Sequence, residues 1–220
     1  MRNILATIFM LTVLFLAAGH LNWWEAWTYI AMNLAVLIVS RYIMIIKNLD
    51  MILERIEAAQ KENVKPWDKV LMPLTSFFGP LTSLIVAGFD ERFGWSPNLP
   101  IAIQIIALAV IFIGNMIGFW SMVANRFFSS HVRIQSDRSH TVVHSGPYHI
   151  IRHPGYAASI IRWISTPIFF SSYWMTIPTL MLIIANIVRT SLEDRVLIVE
   201  LPGYQEYAQE VPYRLVPGVW

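Results

Sequence analysis

The segment His140-Thr-Val-Val-His144-Ser-Gly-Pro-Tyr148-His-Ile-Ile-Arg152-His153-Pro154-Gly155-Tyr156 is the most polar and turn-rich part of a very apolar chain. Five of the six histidines (His131, His140, His144, His149 and His153) fall between residues 131 and 153. One long apolar run ends just before this stretch and another begins just after it. Such placement puts chemistry at a water interface, on backbone that apolar helices hold still.

Working outward, the whole chain has 220 residues, 56% hydrophobic and 14% charged. The charged share is well below the roughly 25% of a soluble domain. An integral membrane protein follows, and the length suits one compact bundle. The formal net charge of +2 fits cationic loops at an anionic membrane surface and is no argument for nucleic acid. There is no cysteine, which excludes disulfides, thiolate zinc sites and thiol nucleophiles.

The fold class read from this pattern is all-α: a polytopic transmembrane helical bundle of four spans plus a C-terminal helical hairpin, with a cytoplasmic cofactor pocket. Residues 3–19 form the first apolar run. Arg2, the run itself and Ala17-Ala18-Gly19 also have the layout of a cleaved signal peptide, but the spans that follow favour a retained helix. Trp23, Trp24 and Trp27 form an interfacial aromatic belt, and residues 27–46 are the second span, closed by Lys47. Over 47–69, Leu49, Ile52, Leu53 and Ile56 recur at helical spacing with charges on the other faces. This predicts an amphipathic helix near 48–64, lying on the membrane or connecting as a soluble helix. The third span, 70–89, contains Pro73, Gly79 and Pro80, which predict a kink. The fourth, 99–124, is about 39 Å long at 1.5 Å per residue, and Gly114 and Gly118 suit close helix packing. Lys and Arg alternate between loops so that both termini and the 47–69 and 125-onward segments are cytoplasmic.

Residues 156–189 are apolar but too long for one span and short for two. With Ser171-Ser172-Tyr173 as a turn they predict a hairpin returning to the cytoplasmic side; the alternative is a single long tilted helix. The tail, 190–220, then returns beside the 140–156 stretch, and 125–220 forms the catalytic and cofactor-binding region.

Three chemistries suit these residues. His140/His144 and His149/His153 have the i, i+4 spacing of a metal pair. Ser145-Gly146-Pro147 breaks the helix between the pairs and the stretch holds no carboxylate, so no metal site is expected. An anionic or zwitterionic cofactor fits better. Gly146-Pro147 and His153-Pro154-Gly155 are turns that approach a ligand closely, and free N–H groups at the helix start after Pro154 would favour a carboxylate. Tyr148 and Tyr156 would stack on a ring, and Glu193 and Asp194 would accept from hydroxyls or an ammonium. The bland reading has Arg152 and His153 on lipid phosphates and the acidic pair in solvent. Arg162, inside an apolar helix, is a functional candidate or a snorkelling side chain. Arg189 stands four residues before Glu193, the spacing of a charge pair.

These motifs, followed by Arg189-x3-Glu193-Asp194, Tyr204-Gln-Glu-Tyr207 and Val211-Pro212, resemble the isoprenylcysteine carboxyl methyltransferase family over roughly residues 125–217. The resemblance implies an integral membrane enzyme that transfers a methyl group from S-adenosylmethionine to a lipophilic acceptor. By that likeness His140, Val142, Gly146, Tyr148, His153, Pro154 and Tyr156 line the cofactor pocket, and Glu193 closes it. Asp194 stands where many members have a second Glu. In the better-known members the cofactor enters from the cytosol and the acceptor slides in from the bilayer, and the resemblance implies the same routes here. Eukaryotic members carry basic residues on the helix before the motif, at the substrate carboxylate. The 99–124 helix has none, and Arg162 or Arg189 would substitute, giving Arg189, Arg162 and Glu193 as catalytic candidates. The chain resembles the compact prokaryotic members.

A sulfonium is already a good leaving group, so alignment in a dry pocket would supply most of the rate with a carboxylate acceptor. An amine or thiol acceptor would need a base such as His153, Glu193 or His144. Two other readings stay open. A membrane NADPH-dependent reductase of the sterol kind would want cations for a phosphate rather than an acidic pair. A non-enzymatic membrane protein would leave the 140–156 cluster without a purpose.

Overall fold

A computed structural model describes residues 2–47, 53–54 and 63–220, with side chains from residue 9 onward. The elements are α1 (Arg2–Ala18), α2 (Trp24–Lys47), α3 (Asp68–Phe93), α4 (Ile101–Ala124), α5 (Pro154–Phe169), α6 (Thr176–Glu200) and α7 (Tyr204–Glu210). No strand occurs among the described residues. The amphipathic helix expected near 48–64 falls almost wholly outside them.

Among the described residues three helices are long and apolar enough to cross a membrane: α2, α3 and α4. The first expected span, 3–19, is α1, whose 17 residues reach about 26 Å. Its described inner residues Leu14, Ala17 and Ala18 are buried and pack on α3. The prolines of α3 produce a π-helical segment, Leu74–Phe78, between Pro73 and Gly79, and not a break. Prolines withdraw N–H donors from the helical ladder. Within the segment Thr75 Oγ1 donates to the Leu71 carbonyl (2.8 Å) and Ser76 Oγ to that of Met72 (2.7 Å). π segments of this kind recur at functional sites, and this one borders the site described below.

The apolar stretch 156–189 folds as two helices. The chain turns at Ser171 (φ +53°) and Ser172, and α5 and α6 pack against each other. The second helix does not stop at 189. It has 25 residues, about 38 Å, and carries Arg189, Glu193 and Asp194 on one rigid rod. The turn is tied to the neighbouring helices by buried polar groups. Ser172 Oγ donates to the Asp90 carboxylate, which also accepts from the Ser96 amide (2.8 Å) and hydroxyl (2.7 Å). Gln104, inside α4, donates to Ser171 Oγ and to Glu25. Below the turn, Leu14, Trp23, Ile111, Trp163, Phe169 and Leu182 form the main apolar core.

Helices α4 and α5 form the closest pair. A Cβ at Gly114 would lie 2.7 Å from Arg162 Cγ and 3.1 Å from the Ala158 carbonyl, so only glycine allows this approach. The chain end, 211–220, closes the opposite side: the Arg152 amide donates to the Tyr213 carbonyl and the His153 amide to that of Arg214.

Asp90 is 3% exposed with three donors aimed at it. Asp90→Ala is expected to lower stability by about 2 kcal/mol, or Tm by roughly 4–8 °C, because buried donors lose their acceptor. Thermal unfolding in detergent checks this; a shift below one degree would mean the turn holds itself.

Candidate functional site

A cavity of about 420 Å³ opens where the π segment of α3, the 125–143 connection, the start of α5 and the second half of α6 meet. That volume lies in the range of roughly 300–1,000 Å³ typical of small-molecule sites.

One wall is built on Asp194. It is fully buried and accepts hydrogen bonds from Arg152 Nε (2.9 Å) and Nη2 (3.1 Å), Tyr204 OH (3.0 Å) and Arg214 Nε (2.7 Å), with His153 Nε2 at 3.0 Å. Burial alone would raise its pKa, but the bonds from His153 and Arg152, helped by Arg214, hold it well below the usual carboxylate range. Burial, and then the same carboxylate, push the Tyr204 phenol up, so Tyr204 stays a donor. Arg152 also donates to the Val211 carbonyl (2.8 Å). Burial would lower its pKa, yet Asp194 raises it, fixing a permanent cation.

The opposite wall is built on Asp68, also fully buried. It accepts from the Val132 amide (2.8 Å) and Arg189 Nε (2.7 Å), with His131 Nδ1 at 3.1 Å. Arg189 Nη2 donates onward to the Ser130 carbonyl (2.7 Å). Beside it Arg133 forms a two-pronged pair with Glu54 (2.9 and 2.7 Å), and Asn63 donates to the Ile134 carbonyl (2.6 Å). The segment before α3 thus clamps the 130–135 stretch in place.

Of the residues expected to bind a cofactor, His140, Val142, Tyr148, His153, Tyr156 and Glu193 line the cavity, as do Arg162 and Arg189. Gly146, Pro154 and Asp194 do not. Gly146 adopts φ +61° and lies against Ala124 and Trp120 of α4, where a Cβ would clash at 2.8 Å. Pro154 is the buried first residue of α5. The start of α5 offers an anion little: the His153 amide donates to Arg214, Pro154 has no N–H, and the Tyr156 amide turns to the His153 carbonyl.

The acidic pair separates, because consecutive helical residues point about 100° apart. Asp194 faces away into the wall, while Glu193 faces the cavity and accepts from Tyr156 OH at 2.6 Å. Arg189 and Glu193 make no direct ion pair; they meet through Tyr156, whose ring lies 5.5 Å from the Arg189 guanidinium. Arg189 is thus held by Asp68 and Ser130 while it borders the cavity. Glu193 is the one carboxylate among the described residues that line the cavity.

His140 sits 4.5 Å from the Phe127 ring and its Nδ1 accepts the Gln135 amide (3.3 Å). Burial, then the Arg133 and Arg138 charges, lower its pKa to about 4. A neutral imidazole with its proton on Nε2 follows, a donor at the cavity edge. The i, i+4 histidine pairs do not converge: His144 approaches Glu210 (3.7 Å), and His149 Nδ1 meets the Gly146 carbonyl.

The sequence reading missed Asp68, Glu54, His131 and Arg133. His131 showed only as one end of the histidine cluster, and Glu54, Asp68 and Arg133 only as charges in the 47–69 and 125-onward loops, which read as basic. Arg152 was assigned to lipid phosphates in the bland reading; it is 7% exposed and held by Asp194.

Residues 105–199 match the family described as isoprenylcysteine carboxyl methyltransferase (ICMT) family. The match starts inside α4 and ends near the end of α6, short of Tyr204 and Val211. No curated protein matches the chain.

The His140 geometry sets an acid limit. A native pKa near 4 against about 6.5 unfolded means the unfolded chain binds the extra proton between those values, so stability falls as pH drops from 6.5 to 4. The depressed Asp194 adds its loss only below about 4, where the unfolded carboxylate titrates. Tm measured from pH 7 to 4 should fall less steeply for His140→Gln than for the wild type; parallel curves would show His140 exposed and uncoupled.

Proposed function

We propose that this integral membrane protein, whose residues 105–199 match the isoprenylcysteine carboxyl methyltransferase family, transfers a methyl group from S-adenosylmethionine to a lipophilic acceptor. The observation that carries the reading is the charge pattern of the cavity. Its buried cations are mostly neutralised from behind by Asp194, Asp68 and Glu54. Glu193 faces inward and, among the described residues, accepts from the Tyr156 hydroxyl alone. That arrangement suits a cationic ligand with an aromatic base and ribose hydroxyls, and it suits a phosphate-rich nicotinamide cofactor poorly.

Bound in such a site, S-adenosylmethionine supplies a methyl group on a sulfonium that leaves readily. The chain's own part is placement. Glu193 would attract the positive donor, and its bond from Tyr156 fixes the carboxylate's position before the ligand arrives. Neutral His140 would donate from Nε2 to an adenine or carboxylate acceptor. Tyr148, buried and with its phenol pKa raised by burial, stays protonated against α4 and shapes the floor. Asp194 acts behind the surface, orienting His153 and Arg152 rather than touching the cofactor. Removing water from this pocket and aligning nucleophile with methyl carbon is worth several kcal/mol, roughly 7–11 at most.

The acceptor would enter from the bilayer beside the π segment, where Met72, Thr75, Ser76 and Pro80 border the cavity. Arg162 would hold an anionic acceptor head. The cavity end of the bundle carries Lys47, Lys65, Lys69, Arg126 and Arg138, whereas the other end presents exposed Trp24, Trp27, Trp95 and Trp174. Under the positive-inside rule that asymmetry supports a cytoplasmic cavity with both termini on the same side.

Calorimetric titration of purified protein with S-adenosylmethionine, S-adenosylhomocysteine and NADPH tests the reading. Binding is expected for the first two alone. Glu193→Gln should weaken binding of S-adenosylmethionine, the cation, about ten-fold or more, or about 1.4 kcal/mol, with Tm little changed. NADPH binding alone would move the protein to the reductase reading, and binding of none by a folded sample would remove the enzyme reading.

A further inference from the structure

Among the described residues three histidines line the cavity: His131, His140 and His153. What each ring nitrogen meets decides what the ring can do. His140 Nδ1 accepts the Gln135 amide, so its other nitrogen carries the proton. His153 presents Nε2 to Asp194, which Arg152, Arg214 and Tyr204 already serve. His131 is arranged the opposite way to His140. Its Nδ1 lies 3.1 Å from Oδ2 of the fully buried Asp68. A carboxylate only accepts, so the neutral ring places its proton on Nδ1 and keeps a lone pair on Nε2. That Nε2 has no partner among the described residues and is not one of their enclosed polar atoms, so it opens to the cavity.

The charges around the ring already have partners. Asp68 of α3 takes Arg189 of α6 and the Val132 amide, and Arg133 takes Glu54 and Asp137. Tyr156 of α5 lies against the Arg189 guanidinium. Asp68 can thus do two things for His131: fix its tautomer, and face the imidazolium once a proton arrives. Asp68 also sets where the ring stands. It lies four residues before Met72 on α3, on the same face and about 6 Å along the axis. Met72, Thr75 and Ser76 border the cavity at the entry proposed for the acceptor. His131 therefore stands on the acceptor side, whereas Glu193 lies beyond Arg189 and Tyr156.

We infer that His131 is a general base and that the atom it prepares for methylation is the sulfur of a lipophilic thiol, whatever head group Arg162 holds. This rests on the methyltransferase reading above. A carboxylate is already ionised at neutral pH and gives a base nothing to do, so it would leave the open Nε2 unused. Free imidazole titrates near about 6.5 and a thiol near about 8.5, against about 10 for a phenol or an ammonium, so the thiol is the best match. In the step, the S–H proton passes to His131 Nε2 and the freed sulfur pair bonds to the methyl carbon. The bond between that carbon and the sulfonium breaks, and its electron pair stays on the departing sulfur. The products are a methyl thioether, S-adenosylhomocysteine and an imidazolium facing Asp68, which gives its proton to water.

The probe is N-decanoylcysteine, which carries both nucleophiles; mass spectrometry separates its S-methyl product from its methyl ester. With S-adenosylmethionine and protein in zwitterionic nanodiscs, the wild type is expected to form the S-methyl product in about ten-fold excess or more. Asparagine is the probing substitution, because its amide nitrogen can replace Nδ1 as donor to Asp68 while nothing replaces Nε2. His131→Asn should lower the S-to-O ratio about 100-fold, the low end of general-base effects. Taken within one sample, the ratio does not depend on how much of the protein folds. A second readout is independent of turnover. NMR of histidine-labelled wild type at about pH 8, above the range of free imidazole, should show His131 with a protonated Nδ1 and a bare Nε2. An excess of methyl ester from the wild type overturns the inference, as does an unchanged ratio in His131→Asn or a His131 ring protonated at Nε2. Should His131→Asn yield neither product, the wild-type pH profile decides: S-methylation that levels off below the thiol's own ionisation supports a base, and a rate that follows that ionisation overturns it. Failure of the wild type to bind S-adenosylhomocysteine would strike the proposed function itself, a separate result.

Discussion

A carboxylate taken wholly out of water must be met by donors, and Asp194 shows what that constraint builds. It is fully buried, yet ionised, because two arginines, a histidine and a tyrosine converge on it. These donors come from three places in the chain, the 152–153 turn, the start of α7 and the C-terminal strap, and meet the carboxylate carried by α6. No one of them would hold its position alone. The strap at 211–220 has little regular structure, and the 140–153 stretch has only short turns. Uncompensated, the buried charge would cost several kcal/mol. Compensated, it forces the tail to fold back onto the helix start and so creates one side of the cavity.

Asp68 does the same work from the other side, with Arg189, His131 and the Val132 amide as its donors. Helix α6 is common to both networks, carrying Arg189 toward Asp68 and Asp194 toward Arg152, about one turn apart. The cavity is thus the gap between two self-satisfied polar clusters held at a fixed spacing by one helix. Its walls are rigid because each charged group in them already has its partners.

Against such walls the exceptions stand out. Glu193 and Arg162 reach the cavity with neutral hydrogen-bond partners, a phenol and an amide. In a bundle where the other cavity-facing cations are cancelled by carboxylates, two groups left with net charge are the ones available to a ligand. The anchors at the far end of the hairpin, Asp90 on Ser172 and Gln104 on Ser171, serve this indirectly, since they set how deeply α5 and α6 sit and hence where Arg162 lies.

Much of this was legible in the sequence. Long apolar runs, proline positions and the Ser171-Ser172 turn are local signals, and they specified α2, α4, the irregular α3 and the α5–α6 hairpin. The His140 to Tyr156 stretch marked the site because polar residues are rare in this chain, and its spacing to Glu193 carried the family resemblance. Composition by itself also excluded cysteine chemistry. What residue order could not specify was which charges would be spent on one another. Glu193 and Asp194 read as one acidic pair, and only the helix phase against α5 and α7 sends one to the cavity and the other into the wall. Arg189 and Arg162 read as equivalent cations until Asp68, 121 positions away, claims the first and Asn115 the second. Ion pairing between distant segments depends on how helices are juxtaposed, and that juxtaposition is set by packing at contacts such as Gly114 on Arg162, which no local pattern encodes.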